Sequence, residues 1–174
     1  HGAPSSINSH PHVSAGISIV HNGIIENHDA LREELRPAGY ESQSDTDSEV
    51  IAHLVHQQLE TCTDLRDAVQ KTITRLEGAY ALGVMSDDYP GLSVGARSGS
   101  PLVVGVGIDE HFLASDQMAL RQVTDRFVYL EEGDVVELSS EAFSVFGANG
   151  KAVKREIQQM SETDQRPDKG KYRH

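Results

Sequence analysis

The spacing of the apolar residues changes near Gly78, and this change limits the folds that the chain can adopt. Before Gly78, two segments carry apolar residues three or four positions apart, the spacing of an amphipathic helix. The first begins at Thr46 and the second covers residues 64–76. After Gly78 come seven short strand-like runs separated by turns, at residues 79–85, 92–97, 102–106, 111–114, 127–130, 135–138 and 143–146. Helices followed by a series of short strands predict an α+β fold with antiparallel pairing.

The N-terminal third of the chain predicts one more strand and one more helix. Residues 1–15 are rich in Ser, Pro and His and resemble a loop, whereas residues 16–20 form an apolar run that predicts a strand. Asn22-Gly23 follows this run and predicts a hairpin turn, because Gly adopts positive φ at no steric cost. Asn27 can then cap a helix over residues 29–38, which Pro37 and Gly39 would end.

Asn22 and Gly23 also suggest a chemical role. The carboxamide of Asn22 and the backbone N–H of Gly23 are two hydrogen-bond donors that can point at the same place. Two fixed donors aimed at one point form an oxyanion hole, which stabilises negative charge on an oxygen in a transition state. An Asn-Gly pair without further context is an ordinary turn, so this reading depends on the rest of the sequence.

Thr46 and Glu49 have the spacing of a capping box, with Thr46 as the N-cap and Glu49 at the third helical position. Asp47 would then lie in the first helical turn, beside free backbone N–H groups that favour an anion. Asp47 is therefore either a carboxylate that stabilises a helix start or a carboxylate held in place to bind a ligand. The two interpretations are compatible.

The composition excludes several classes of function. The 174 residues suffice for one domain with a core, and the net charge of -12 argues against nucleic acid as a partner. No run of eighteen apolar residues predicts a membrane span, and no secretory signal is recognisable at the start. The single cysteine, Cys62, excludes an intrachain disulfide and fits a reducing compartment, so we expect a cytoplasmic protein.

The histidines, the cysteine and one glycine pair give no further site. His53 and His56 lie three positions apart on the predicted helix and could chelate a metal, but solvent-exposed helix surface is the better interpretation. We therefore predict no metal site. Cys62 lies between two acidic residues, which disfavour a thiolate, so we predict a passive thiol. Gly105 and Gly107 lack the third glycine and long helix of a dinucleotide site.

Several segments, taken in order, resemble the glutamine amidotransferase domain of glucosamine-6-phosphate synthase, which is glutamine–fructose-6-phosphate aminotransferase (isomerising). These segments are residues 1–5, 8–12, 20–27, 44–53, 96–102, 114–117, 127–134 and 168–174. They extend over essentially the whole chain. Their number and order make the resemblance far more specific than any one of them.

The resemblance implies an N-terminal-nucleophile αββα sandwich, in which two antiparallel sheets lie between layers of helices. In that family a cysteine at the mature N-terminus attacks the side-chain amide of glutamine, and its own α-amino group is the base. Asn22 and Gly23 would form the oxyanion hole, Asp47 would bind the α-amino group of glutamine, and His1 would lie near the glutamine pocket. No cofactor is implied.

The same comparison gives the expected domain organisation. The chain starts at His1, inside the family domain, so residues 1–160 would be a glutaminase domain truncated at its N-terminus, without the nucleophile. Residues 161–174 are polar and would be a linker toward an absent sugar-phosphate isomerase domain. We expect the isolated chain to be inactive, and the full-length protein to be a homo-oligomer associated mainly through the isomerase domain.

Two other interpretations remain open at this point. The chain could belong to another class II amidotransferase, such as the purine-biosynthetic enzyme or asparagine synthetase. The strings at residues 23–27 and 169–174 favour the enzyme that makes glucosamine 6-phosphate. Alternatively, the chain is a non-catalytic binding module that has the fold without the chemistry.

Overall fold

Two antiparallel β-sheets lie face to face in the computed structural model, which describes residues 12–161. The strands are β1 (His12–Ser14), β2 (Ile17–Ile25), β3 (Gly78–Ser86), β4 (Ser93–Ser98), β5 (Val103–Val106), β6 (His111–Ala114), β7 (Arg126–Tyr129), β8 (Val135–Leu138), β9 (Phe143–Phe146), β10 (Ala152–Val153) and β11 (Gln158–Gln159). The helices are α1 (His28–Leu35), α2 (Asp47–Leu59) and α3 (Leu65–Ile73), with short 3-10 turns at Arg36–Ala38 and Gln117–Leu120.

The larger sheet has the strand order β1-β2-β3-β4-β8-β9-β10, and the smaller has the order β11-β7-β5-β6. The longest ladder of the larger sheet joins β2 to β3, from Ile17 opposite Ser86 to Ile25 opposite Gly78. By contrast, β1 pairs only with Ile17, Ser18 and Ile19 of β2. Beyond Ile19, no strand within residues 12–161 covers that edge of β2.

Alternation along β2 directs its side chains to two different layers. Ile17, Ile19 and Ile25 are buried in the core that α2 and α3 form with the larger sheet. A second core lies between the sheets and includes Ala81 from β3 and Val104 from β5. A third, smaller cluster joins α1 to α2. The helices thus cover one face of the larger sheet, and the smaller sheet covers part of the other.

The seven predicted strands after Gly78 all form, as do the three predicted helices. The sequence analysis missed β1, β10 and β11. Each has only two or three residues, which is too short for an apolar alternation to be visible. The structure therefore confirms the α+β prediction with antiparallel pairing.

The predicted hairpin turn at Asn22-Gly23 is wrong. Both residues lie inside β2, where Asn22 is opposite Ala81 and Gly23 is opposite Tyr80. The chain continues as a strand because β3 pairs with it as far as Ile25. Gly23 does adopt positive φ, +111°, but it serves a close approach between strands rather than a chain reversal.

Two predicted helix caps also differ from the structure. Asn27 is the N-cap of α1, but its side chain donates to Arg75 O and accepts from Glu77 N, so it ties α1 to the segment before β3. Thr46 is the N-cap of α2 without a capping side-chain bond. The expected reciprocal bond from Glu49 is replaced by hydrogen bonds that its carboxylate accepts from the backbone N–H groups of Gln43 and Ser44.

Helix α3 ends at Ile73, three residues before the predicted end at residue 76, and Gly78 is the first residue of β3. None of the helices within residues 12–161 is long and apolar enough to cross a membrane.

Candidate active site

Asn22 occupies an exposed position of β2, at a small cleft between the two sheets. The cleft has a volume of about 110 Å³, and its wall is formed by Val20, His21, Asn22, Ala81, Leu82, Gly83, Leu102, Leu113, Ala114 and Ser115. Most of these residues are apolar, so a carboxamide there is a prominent hydrogen-bonding group. The predicted oxyanion donor is therefore accessible to a small ligand.

Gly23 is required by the close contact between β2 and β3. A Cβ at this position would lie 2.1 Å from the carbonyl oxygen of Ala79 and 2.8 Å from its carbonyl carbon. Gly78 is the counterpart on β3, since its Cβ would lie 2.2 Å from the carbonyl oxygen of Ile24. Both glycines have positive φ, so the backbone next to Asn22 has a conformation that other residues rarely adopt.

Asp47 is the first residue of α2, and its side chain reaches the end of β2. Its Oδ2 accepts a hydrogen bond of 2.8 Å from the backbone N–H of Ile25, and the residue is only 6% exposed. Its Oδ1 is buried, lies 3.7 Å from Nδ1 of His21, and has no hydrogen-bond donor within residues 12–161. Because a buried carboxylate oxygen without a donor is unfavourable, Oδ1 is suited to receive a donor from a ligand.

His21 links the two predicted site residues, and the sequence analysis did not identify it. It precedes Asn22 on β2 and points to the opposite face, where its Nδ1 lies 3.2 Å from Oγ of Ser48 in the first turn of α2. The start of α2 is thus held against β2 through both His21 and Ile25. The only sequence signal was the position of His21 beside Asn22.

Glu49 is the second residue that the sequence analysis did not place in the site. Its carboxylate accepts hydrogen bonds from Gln43 N–H (2.6 Å), from Ser44 N–H (2.7 Å) and from the Ser44 hydroxyl. Burial raises the pKa of this carboxyl, but the bonds from Ser44, Gln43 and His53 outweigh that effect and lower the pKa below its usual value. Glu49 is therefore a charged group that organises the segment before α2.

The two helix histidines are not the solvent-exposed surface that the sequence predicted. His53 is buried, with Nε2 3.1 Å from Glu49 Oε1, and His56 has its Nδ1 2.6 Å from the Tyr40 hydroxyl. Among the described side chains, no group of three or more His, Cys, Asp or Glu is close enough together to hold a metal ion.

Cys62 lies beyond the C-terminal end of α2, whereas Asp47 is at the start of that helix. A helix of this length separates its ends by about 18 Å. Burial and the neighbouring Asp67 carboxylate raise the pKa of the Cys62 thiol. The direction agrees with the expectation of a passive thiol, but the responsible carboxylate is Asp67 rather than Glu60 or Asp64.

His1 lies outside the described residues, so its place near a glutamine pocket stays a prediction.

Residues 5–122 match the family described as the glutamine amidotransferase domain. The chain belongs to this family. The match contains Asn22, Gly23 and Asp47, and it extends from the N-terminal segment through the 3-10 turn after β6.

Curated relatives that are similar to this chain over its whole length are glutamine–fructose-6-phosphate aminotransferases (isomerizing). The protein of this name from Vibrio vulnificus is 55% identical over 174 residues, which is 100% of this chain and 28% of the relative. The one from Pseudomonas putida is 54% identical over 175 aligned residues, again over 100% of this chain and 29% of the relative. The chain thus spans little more than a quarter of the length of these relatives. The resemblance seen in the sequence is confirmed.

Solved amidotransferase structures share the fold. The glutamine phosphoribosylpyrophosphate amidotransferase from B. subtilis superposes with a TM-score of 0.59 at 23% identity, over 84% of this chain and 29% of that one. A glutamine aminotransferase class-II domain protein from Silicibacter pomeroyi gives a TM-score of 0.58 at 20% identity, over 82% of this chain and 71% of that one. Together with the two facing sheets, these neighbours confirm the predicted α+β sandwich of two antiparallel sheets, with helices against the larger sheet. In the described residues the smaller sheet has only the 3-10 turn Gln117–Leu120 beside it, where the family sandwich has helices.

Proposed function

We propose that this chain is the glutamine-binding part of the glutaminase domain of a glutamine–fructose-6-phosphate aminotransferase. In this proposal the domain releases ammonia from glutamine for the synthesis of glucosamine 6-phosphate. The further length of the relatives supports a sugar-phosphate isomerase domain in the same protein, with residues 161–174 as the linker. Association into a homo-oligomer stays a prediction for the full-length protein.

The observation that carries the proposal is the position of Asp47 against β2. Its buried carboxylate binds Ile25 N–H with Oδ2 and leaves Oδ1 without a donor in the described chain. An α-ammonium group of glutamine supplies both the positive charge and the N–H donors that this oxygen lacks. Asp47 thus anchors the amino-acid end of the substrate three residues along the strand from Asn22.

Asn22 and Gly23 act on the other end of the substrate. When a thiolate attacks the side-chain amide carbon, the carbonyl oxygen becomes an oxyanion, and the Asn22 carboxamide and Gly23 N–H donate to it. Collapse of this intermediate breaks the C–N bond, a proton goes to the departing nitrogen, and ammonia leaves. The acyl group stays on the sulfur as a thioester. Water then hydrolyses the thioester to glutamate.

The nucleophile of this reaction is not Cys62. That thiol lies beyond the far end of α2, has a raised pKa, and contacts Asp67 and Lys71 rather than the cleft. Since it is the chain's only cysteine, we propose that the 174 residues alone do not hydrolyse glutamine. The covalent step requires a thiol from outside them.

The test measures glutamine hydrolysis by the full-length protein. Asn22→Ala removes one oxyanion donor and is expected to lower kcat by about 10²–10³-fold. Asn149→Ala, at an exposed turn far along the chain, is the matched control and leaves kcat unchanged. Equal turnover in the Asn22→Ala protein would remove Asn22 from the mechanism, whereas glutamine binding without hydrolysis in the unaltered protein would identify a binding module.

A further inference from the structure

Two carboxylates in the first turn of α2 have opposite surroundings. Asp47 keeps Oδ1 without a donor in the described residues, whereas both oxygens of Glu49 accept hydrogen bonds. Glu49 is therefore already saturated and unsuited to binding a ligand ammonium group. Its contacts point instead to a role in placing its neighbour.

The Glu49 carboxylate fixes the chain that leads into α2. It accepts hydrogen bonds from the backbone N–H groups of Gln43 and Ser44 and from the Ser44 hydroxyl, and these bonds join the upstream segment to the helix. On the other side, His53 Nε2 lies 3.1 Å from Oε1, one helical turn further along. The carboxylate is thus held from both directions, and its hydrogen bonds tie the segment to α2.

Asp47 lies between the segment that Glu49 holds and the strand that carries the oxyanion donors. Ile25 N–H fixes one of its oxygens from the side of β2. The backbone just before Asp47 is fixed by Glu49, and by Arg32, whose guanidinium donates to Thr46 O at 3.2 Å. A shift of about 1 Å in a binding group is enough to weaken catalysis substantially, so these contacts determine how well Asp47 meets an ammonium group.

We propose that Glu49 is a positioning residue for recognition of the α-ammonium group of glutamine by Asp47. The inference rests on the proposed function, because it assigns Glu49 a role in that same site. Glu49 does not touch the substrate. It acts by holding residues 43–46, and thereby the first turn of α2, in the geometry that presents Oδ1 of Asp47 to the ligand.

The test separates positioning of Asp47 from a general structural effect. Full-length protein is assayed with glutamine and with 4-carbamoylbutanoate, which is glutamine without its α-amino group. The measured quantity is the ratio of kcat/KM for the two substrates. Glu49→Gln removes the charge and is expected to lower this ratio about tenfold, through a higher KM for glutamine. A general loss of active protein would reduce both substrates equally and leave the ratio unchanged.

Two further variants frame this result. Asp47→Asn gives the limiting ratio for a site that no longer recognises the ammonium group. Glu60→Gln, at the exposed C-terminal end of the same helix, is the matched control and keeps the ratio of the unaltered protein. Ser44→Ala removes one bond to Glu49 but leaves the carboxylate, and it is expected to lower the ratio two- to threefold even if Glu49→Gln does not fold.

The outcomes distinguish the two proposals. If Asp47→Asn abolishes the preference for glutamine while Glu49→Gln and Ser44→Ala retain it, Glu49 is not a positioning residue and the proposed function stands. If Asp47→Asn itself retains the preference, the ammonium role of Asp47 is wrong, and the role of Glu49 is wrong with it.

Discussion

Replacing Gly23 by alanine tests whether the backbone beside Asn22 is fixed by steric contact. The residue has φ of +111°, and an added Cβ would lie 2.1 Å from Ala79 O and 3.1 Å from Tyr80 Cα. Those neighbours are backbone atoms of the paired strand, so relief requires β2 and β3 to separate by roughly 1 Å. A flexible side chain could move away, but a ladder that extends over the whole of β2 cannot.

The expected loss of stability has two parts. A non-glycine residue at such a φ costs about 1–3 kcal/mol, and forcing a methyl group into a filled space costs about 1–3 kcal/mol more. Gly23→Ala should therefore lower the free energy of unfolding by about 2–6 kcal/mol. For a chain of this size each kcal/mol lowers Tm by about 2–4 °C.

Gly39→Ala is the matched control because it isolates the first part. Gly39 has φ of +95°, and no atom lies within 4 Å of its added Cβ. It should lose only about 1–3 kcal/mol. The assay is urea-induced unfolding of both variants, followed by far-ultraviolet circular dichroism. If Gly23→Ala is no less stable than Gly39→Ala, the contact with Ala79 does not constrain β2 and the steric argument is refuted.

Two other predictions concern the titratable groups. Folding lowers the pKa of Glu49, so its contribution to stability is complete above the usual glutamate pKa of about 4.3 and is lost as pH falls through the lowered value. Urea unfolding should show Glu49→Gln less stable than the unaltered protein at pH 7, with the difference shrinking as pH falls below about 4.3, and a difference that grows below that pH would contradict this. Because the pKa of Cys62 is raised, its thiol should react with a disulfide reagent at pH 7.5 more slowly than that of a model cysteine peptide, and Cys62→Ser should leave glutamine hydrolysis by the full-length protein within twofold; faster labelling or lost turnover would show that Cys62 is not passive.

Local signals in the sequence predicted the regular elements well. The apolar spacing after Thr46 and the N-cap position of Thr46 placed the start of α2, and the structure begins that helix at Asp47. The strands of the second half were recognisable because each alternates or runs apolar between turn residues. The short strands β1 and β10 gave no such signal.

The errors share one cause, which is that the partner of a residue lay outside the short local pattern on which the prediction was based. Asn22-Gly23 has turn chemistry, but pairing with β3, more than fifty residues away, keeps it extended. Glu49 fits a capping box, but its carboxylate reaches Gln43 and Ser44 instead. His53 was placed on the surface because nothing in a helical pattern reveals that Tyr40 lies against its ring, at 5.3 Å between centroids.

The candidate site combines two elements that provide opposite kinds of binding group. In the proposed function, the edge of β2 that no strand of residues 12–161 covers supplies N–H donors for an oxyanion, and the start of α2 supplies a carboxylate for an ammonium group. Gly23 and Ile25 are two residues apart, so their N–H groups are about 7 Å apart on an extended strand. The five bonds from the α-nitrogen to the amide oxygen of glutamine span about 6 Å. One strand can therefore locate both ends of glutamine, provided that α2 is held rigidly against it, and this requirement is the reason for the positioning role that we propose for Glu49.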